Sequence, residues 1–487
     1  MKKLSCTSGF LITAFLFLAA VPLWADGVDE KIKALEEELG RLKQEQAQVK
    51  AEQMELKKEA AAAAAALPSF SYRPGNGVLV EAADKSWSLR FSIEADYHIV
   101  FNAGKDETGR TQGEVMGRRF RPQINYCLND CFYEIEMSLD LDGFATNSAL
   151  QRGAVYINFQ NMNPYLPQFY FAMDGPADVN SYQLGSSATS AQLEYPLLAR
   201  NNGYNTGRFG NGLGLRWENL PLSPLIPGRA RITIAMGNFG EGDDGNSSTT
   251  DRKDFSAHIQ LLPFTELKNY WLSGFGFSML SWFCNNDTAG TGRAAETGSA
   301  CNRLRIRDDG PGGRQTLFDT GAGIGRGLAH YLSPGVGWRI GPYQVRGWGG
   351  FWRFEDEGGT PGRKKANAFL IAHELNVWSP QGLFTGSSRT PGTLYVGTMF
   401  ERTDVSCGIP GCDASGEFSR NRILRREWDI WYVLGANMNI GVAVFWYDAS
   451  NLSTAAQSAL NIRGDSKIVA GKGGDWVDWF IVWRWRF

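Results

Sequence analysis

Beyond its opening stretch, the sequence has no apolar run near the ~18 residues that a membrane-spanning helix needs, so any insertion of the mature chain in a bilayer must use strands. Histidine is scarce, four in 487 residues, and widely scattered. His373-Glu374 has no second histidine four positions on, which excludes the helical zinc-protease pattern. Net charge is small: 49 Lys and Arg against 51 Asp and Glu leave -2, so nothing drives the chain as a whole toward nucleic acid or anionic lipid. No serine stands in a Gly-x-Ser-x-Gly frame, and no Ser/His or Asp/His constellation can be assembled for a barrel-embedded hydrolase. The glycine-rich Gly321 to Gly327 stretch has its third glycine misplaced for dinucleotide binding and opens no helix, so it reads as a loop or a small-residue strand. Neither catalysis nor a cofactor is expected.

Cysteine is also sparse, seven in all. Cys6 precedes an apolar stretch at the start of the chain, and the other six fall into close pairs, Cys127 with Cys131, Cys284 with Cys301 and Cys407 with Cys412, each in a polar stretch rich in Asn, Asp or Gly. Local disulfides in an oxidising compartment are the natural reading. A metal site is the rival, but no histidine lies near enough to complete a four-ligand set, and no metal is expected.

What the chain does have begins with Lys2 and Lys3, an apolar stretch from Phe10 to Val21, and Pro22 to Ala25, the layout of a secretory signal peptide over residues 1–25. Residues 26–66 then carry apolar or small residues in alternating steps of three and four: Ile32, Leu35, Leu39, Leu42, Gln46, Val49, Gln53, Leu56, Ala60 and Ala63. That is the seam of a coiled coil, with Lys and Glu filling most other positions. A solvated single helix tethering the next domain is its alternative. Leu67-Pro68 ends the helix, and residues 67–76 read as a linker.

From residue 77 to 487 the period becomes two. Trp87, Leu89, Phe91, Ile93, Ala95, Tyr97, Ile99 and Phe101 alternate with Ser88, Arg90, Ser92, Glu94, Asp96 and His98, and only Val100 breaks the polar row. Tyr133 to Asp142 repeats the pattern, and hairpins are read at Gly341-Pro342 and at Ala436 to Asn439. The closing residues, DWVDWFIVWRWRF, place Trp479, Ile481, Trp483, Trp485 and Phe487 on one row and Asp478, Arg484 and Arg486 on the other. Alternation over about ten to fifteen residues is longer than the five or six of a soluble sandwich strand and is enough to cross a bilayer at a tilt. Short turns alternate with long polar stretches such as Gly240 to Asp254 and Asn285 to Arg303, the layout of an outer-membrane barrel. At roughly 25 residues per strand and connection, an all-β transmembrane antiparallel barrel of about 16 strands is expected, with 18 the neighbouring even count.

Three stretches then resemble a known family: GNGVLVEAADKSWSLRFSIEADY (Gly75 to Tyr97), RRFRPQINYCL (Arg118 to Leu128) and SYQLGSSATSAQLEYPLLARN (Ser181 to Asn201), with a terminal Phe487. The chain resembles the phosphate-selective porin O/P family of Gram-negative outer membranes. The resemblance implies a homotrimer of 16-stranded barrels, a short coiled coil before each, and Phe487 as the signal read by the outer-membrane insertion machinery. It also implies an arginine ladder down the pore and lysines on inward-folded loops. Arg90, Arg119, Arg121, Arg339, Arg346, Arg484 and Arg486 lie on polar rows and are the ladder candidates. No lysine occurs between Lys105 and Lys253, so the constriction falls to Arg200 and Arg208 by position.

The expected function is a water-filled channel in the outer membrane, in contact with its lipid, that passes small hydrophilic solutes, with anions or phosphate as the preferred class. Against that preference, Glu94, Asp96, Glu134, Glu136, Asp140 and Asp142 share the polar rows and can pair with the arginines as wall struts. The alternative function is a structural barrel that sheathes or anchors a partner, such as an electron-transfer protein or, through the periplasmic coiled coil, the cell wall.

Overall fold

The computed structural model describes residues 25–74, 76–105, 111–141, 149–172, 212–223, 226–237, 254–286, 305–308, 315–319, 327–356, 364–384, 390–407, 421–435, 437–450 and 474–487. The chain divides into two compact units, one up to Leu67 and the other from Pro68 onward. The first contains the helix α1 (Ala25–Ala66). Its residues are mostly strong helix formers, and its last seven are alanine. Ile32, Leu35, Leu39, Leu42, Val49 and Leu56 all lie exposed along it. Among the described residues no helix is long and apolar enough to cross a membrane.

The second unit is built of strands. β1 (Ser69–Arg73) and β2 (Gly77–Glu81) form a hairpin. There follow β3 (Trp87–Lys105), β4 (Thr111–Leu128), β5 (Tyr133–Asp140), β6 (Ala149–Asn158), β7 (Gln168–Ala172), β8 (Gly212–Ser223), β9 (Ile226–Gly237), β10 (Asp254–Leu262) and β11 (Phe275–Asn286). A separate two-stranded ladder, β12 (Arg305–Asp308) with β13 (Gln315–Asp319), comes next. The series resumes with β14 (Gly327–Ile340), β15 (Tyr343–Asp356), β16 (Lys364–Trp378), β17 (Leu394–Cys407), β18 (Asn421–Gly435), β19 (Met438–Ser450) and β20 (Gly474–Arg486). From β3 to β20, leaving out the β12–β13 ladder, each strand pairs antiparallel with the next, and β20 returns to pair with β3. The result is a closed barrel of 16 strands, the smaller of the two expected counts. Closure removes both sheet edges, which a strand-built wall in lipid requires.

The connections differ at the two ends of the barrel. At one end they comprise 129–132, 159–167, 224–225, 263–274, 341–342, 379–393 and 436–437; at the other they comprise 106–110, 141–148, 173–211, 238–253, 287–326, 357–363, 408–420 and 451–473, so the longest connections all fall at the second end. Gly341 adopts φ +52° ahead of Pro342, the left-handed first corner that a two-residue hairpin favours. In the β4–β5 turn Asn129, Asp130 and Cys131 all have positive φ, and a Cys127–Cys131 disulfide with Cα atoms 4.4 Å apart spans it. For the other two cysteine pairs, the side chains of Cys284 and Cys407 and all of Cys301 and Cys412 lie outside the described residues, as does the signal-peptide stretch up to residue 24.

Residues 69–73, read as part of a linker, are a strand. Ser69, Ser71 and Arg73 alternate with Phe70 and Tyr72, a two-residue period too short to stand out, and Asn76 N–H donates to the Arg73 carbonyl to close the turn. This hairpin occupies the seam where the barrel closes. β20 pairs with β3 from Asn102 to Glu94, Phe487 and Ile93 exchange two backbone hydrogen bonds, and below that point β2 takes over the same edge from Phe91 to Ser88. Gly77 sits at the handover with φ +79°, where a Cβ would stand 1.9 Å from the Phe91 carbonyl oxygen. The Tyr72 ring lies 5.3 Å from that of Phe487, so the hairpin covers the terminal aromatic.

Many of the long strands have one exposed and one buried row. On β18, Trp428, Ile430, Tyr432 and Leu434 are exposed, while Glu427, Asp429, Trp431 and Val433 are buried. On β20, Trp479, Ile481 and Trp483 are exposed, while Phe480, Val482 and Arg484 are buried. In a closed barrel the exposed row is the outer face, so the barrel is wrapped in an apolar surface of the outer-membrane type. The inner face of β17–β20 and β3 departs from an aqueous wall: Val100, Tyr395, Trp431, Val433, Ala443, Phe445, Tyr447, Phe480 and Val482 form one fully buried apolar cluster. The Trp431 indole lies flat over Gly441 on the facing strand, where a Cβ would come within 2.4 Å of the ring.

Candidate functional site: the inward face of the barrel

Solute passing through such a barrel meets only the inward rows, so the chemistry of the site is the chemistry of those side chains. Four of the seven candidate arginines occupy positions in register with two acidic residues of β3. Across β20, β3 and β4 the register sets Arg486 opposite Glu94 and Glu94 opposite Arg121; two residues along it sets Arg484 opposite Asp96 and Asp96 opposite Arg119. Glu94, Asp96, Arg121 and Arg484 are all buried. The Arg484 Nε stands 3.9 Å from an Asp96 carboxylate oxygen, and the guanidinium lies 4.0 Å above the Trp431 ring centroid. Asp96 also contacts the His98 ring at 3.2 Å. One strand, β3, thus sets two carboxylates in register with arginines of both its neighbours.

A fifth candidate, Arg346, is buried on β15 with Glu374 of β16 at 3.9 Å. The remaining two differ. Arg90 and Arg339 are exposed on the inward rows of β3 and β14, strands on nearly opposite sides of the ring, and both lie within a few residues of the short-turn end. Of the constriction candidates, Arg200 and Arg208 lie outside the described residues, as does the Arg119 side chain.

The inward face also holds charges that the candidate set omitted. The Arg425 Nη2 meets a Glu401 carboxylate oxygen at 3.0 Å, with both side chains essentially inaccessible, and Thr403 donates to the same carboxylate. Glu427 and Asp429 follow on the same row, fully buried. On the opposite wall Glu218 bridges Arg216 and Arg231, the latter at 2.8 Å, while Tyr156 donates to Glu136 and lies beneath the Arg216 guanidinium. The signal for Arg425 and Glu427 was present in the parity of Arg425, Glu427, Asp429 and Trp431. It was obscured because that row mixes charge with bulky aromatics and so reads as neither face.

No protein-family model matches the chain, and no curated protein does. Solved structures of outer-membrane proteins do. In-vitro folded OmpT, an outer membrane protein of Vibrio cholerae, is 10% identical with a TM-score of 0.49, covering 82% of this chain and 98% of that one. An anion-selective porin from Comamonas acidovorans is 11% identical at 0.49, covering 82% and 100%. The outer membrane channel DcaP of Acinetobacter baumannii is 8% identical at 0.48, covering 82% and 98%.

Proposed function

We propose that the chain is a porin of the Gram-negative outer membrane, a channel through which small hydrophilic solutes diffuse passively. The observation that carries this reading is the closed ring of 16 antiparallel strands with an apolar outer row and charged, polar positions on the inner one. A ring of that size encloses more volume than strand side chains alone fill, unlike an eight-stranded barrel. With short turns periplasmic and long connections outside, as in other such barrels, the chain enters β1 at the periplasmic end, and the coiled coil belongs to the periplasm. Copies joined through that coiled coil, three by the resemblance of the sequence, form the working assembly, and Phe487 serves as the insertion signal.

Anion preference is the finer part of the proposal, and it rests on Arg90 and Arg339 rather than on a continuous ladder. Planar guanidinium donors suit oxyanions, and these two sit where a solute enters or leaves on the periplasmic side. Phosphate is the substrate class we assign to them. The test is single-channel recording of the full chain in a planar bilayer under a potassium chloride gradient. Stepwise conductance with a reversal potential of the sign for chloride supports both parts; conductance with cation preference removes the anion reading alone. An absence of conductance, with insertion shown separately by protease protection, overturns the channel in favour of a structural barrel.

A further inference from the structure

The outer face carries a feature that conduction does not use. Near the long-connection rim, outward positions are apolar on most strands: Phe101, Val115, Leu213, Phe255, Phe283 and Trp479 are all exposed there. On β15 to β18 the same level is cationic. Arg353 stands opposite Lys365 in register, both exposed, and two strands further on Asp404 stands opposite Arg422. Arg402 and Arg422 each donate through Nε to one oxygen of the Asp404 carboxylate, at 2.8 and 2.9 Å. One carboxylate thereby fixes two guanidinium groups side by side, and the Nη amino groups of each remain as donors for a further oxyanion. Arg426 lies 5.0 Å above the outward Trp446 ring. Among the described side chains, five cations stand against Asp404 and the outward Asp448, a surplus of positive charge on a surface otherwise greasy.

We propose that this patch is a binding site for the phosphate-bearing headgroup of a lipid in the leaflet at the long-connection rim. The proposal rests on the outer-membrane reading given above, because only then does this face meet lipid. Three observations favour that occupant. Arg353, Lys365 and Arg422 stand at the strand ends of this rim, where headgroups lie, and Arg402 and Arg426 follow deeper on β17 and β18, in register with Phe369 and Phe400. Beside the deeper cations and beyond them the outer row is apolar, through Phe369, Phe400, Ile371 and Ile430, which suits acyl chains descending from a headgroup held at the rim. The patch is confined to adjacent strands, so it is a site and not a girdle; clustered basic residues beside an apolar wall bind anionic lipid headgroups in this way.

The test is native mass spectrometry of the full chain in detergent with bisphosphorylated lipid A, alongside a phosphate-free analogue of the same acyl content. Wild-type protein is expected to retain the phosphorylated lipid selectively. Arg402→Gln with Arg422→Gln should weaken retention about tenfold or more, since each basic residue near a lipid surface contributes a sizeable part of such binding. The corresponding double lysine variant should restore much of it, and Lys365→Gln alone should act in the same direction, so a folding defect in one variant does not decide the matter. Channel conductance should be unchanged throughout. Equal retention of the phosphate-free lipid, or wild-type retention by the double Gln variant, overturns the site. Displacement of the lipid by inorganic phosphate would identify a free-anion site instead, and loss of copies from the assembly in the double variant would identify the face as a contact between copies. A chain that retains the lipid yet conducts nothing fails the channel reading and keeps this site.

Discussion

Arg425 and Glu401 show what a charge does when the wall around it is closed to water. Both are buried, 3.0 Å apart, with the Phe445 ring beside the guanidinium. Such a pair adds little over a well-packed apolar substitute, but removing one partner strands the other. Arg425→Ala should therefore destabilise the barrel by about 3–5 kcal/mol, whereas Arg425→Met combined with Glu401→Leu should recover most of that loss; urea unfolding in micelles measures both. Equal losses in the single and double variants would show that the pair is not what the site depends on. The same reasoning separates Arg346, held near Glu374, from Arg339, which is exposed. The residue type alone gave no way to tell them apart, because parity assigns a side chain to a face but not to a partner.

At the scale of elements, α1 and the β1–β2 hairpin had unequal visibility. The heptad seam extends over many turns, so its period was plain, and the helix exposes that row along its length. Replacing Leu39 and Leu42 by Asp should dissociate the copies, lowering the sedimentation coefficient without changing the strand signal in circular dichroism. A wild-type sedimentation profile would leave α1 as a single solvated helix. The hairpin was illegible because five residues are too few for a period, and because its partner edge on β3 becomes available only where β20 ends at Phe487. The long strands were read with their faces correct, including the outward Trp479, Ile481 and Trp483 of β20. Their inner rows were read less well: Phe480 and Val482 interrupt the polar face and join Trp431, Phe445 and Tyr447 across three strands, a cluster that no single strand announces.

For the whole molecule, the question is which inward charges a solute meets. Arg90 and Arg339 lie on nearly opposite walls near the short-turn mouth, so exchanging both for Glu should move the reversal potential toward cations and reduce anion permeability several-fold, while Arg346→Ala should lower stability and leave selectivity unchanged. Selectivity that follows Arg346 instead would place the filter deeper in the wall. The sequence by itself determined that the chain is strand-built with a greasy row and a polar row, about how many strands it has, and where the turns and long connections fall. These follow from local period and from turn residues, which act between near neighbours. Only the tertiary structure decided that β20 closes onto β3, that Glu94 and Asp96 each stand between two arginines, and that part of the inner wall is an apolar cluster. Those outcomes depend on register between strands far apart in the chain, and a two-residue period fixes the face of a side chain while leaving its cross-strand partner open.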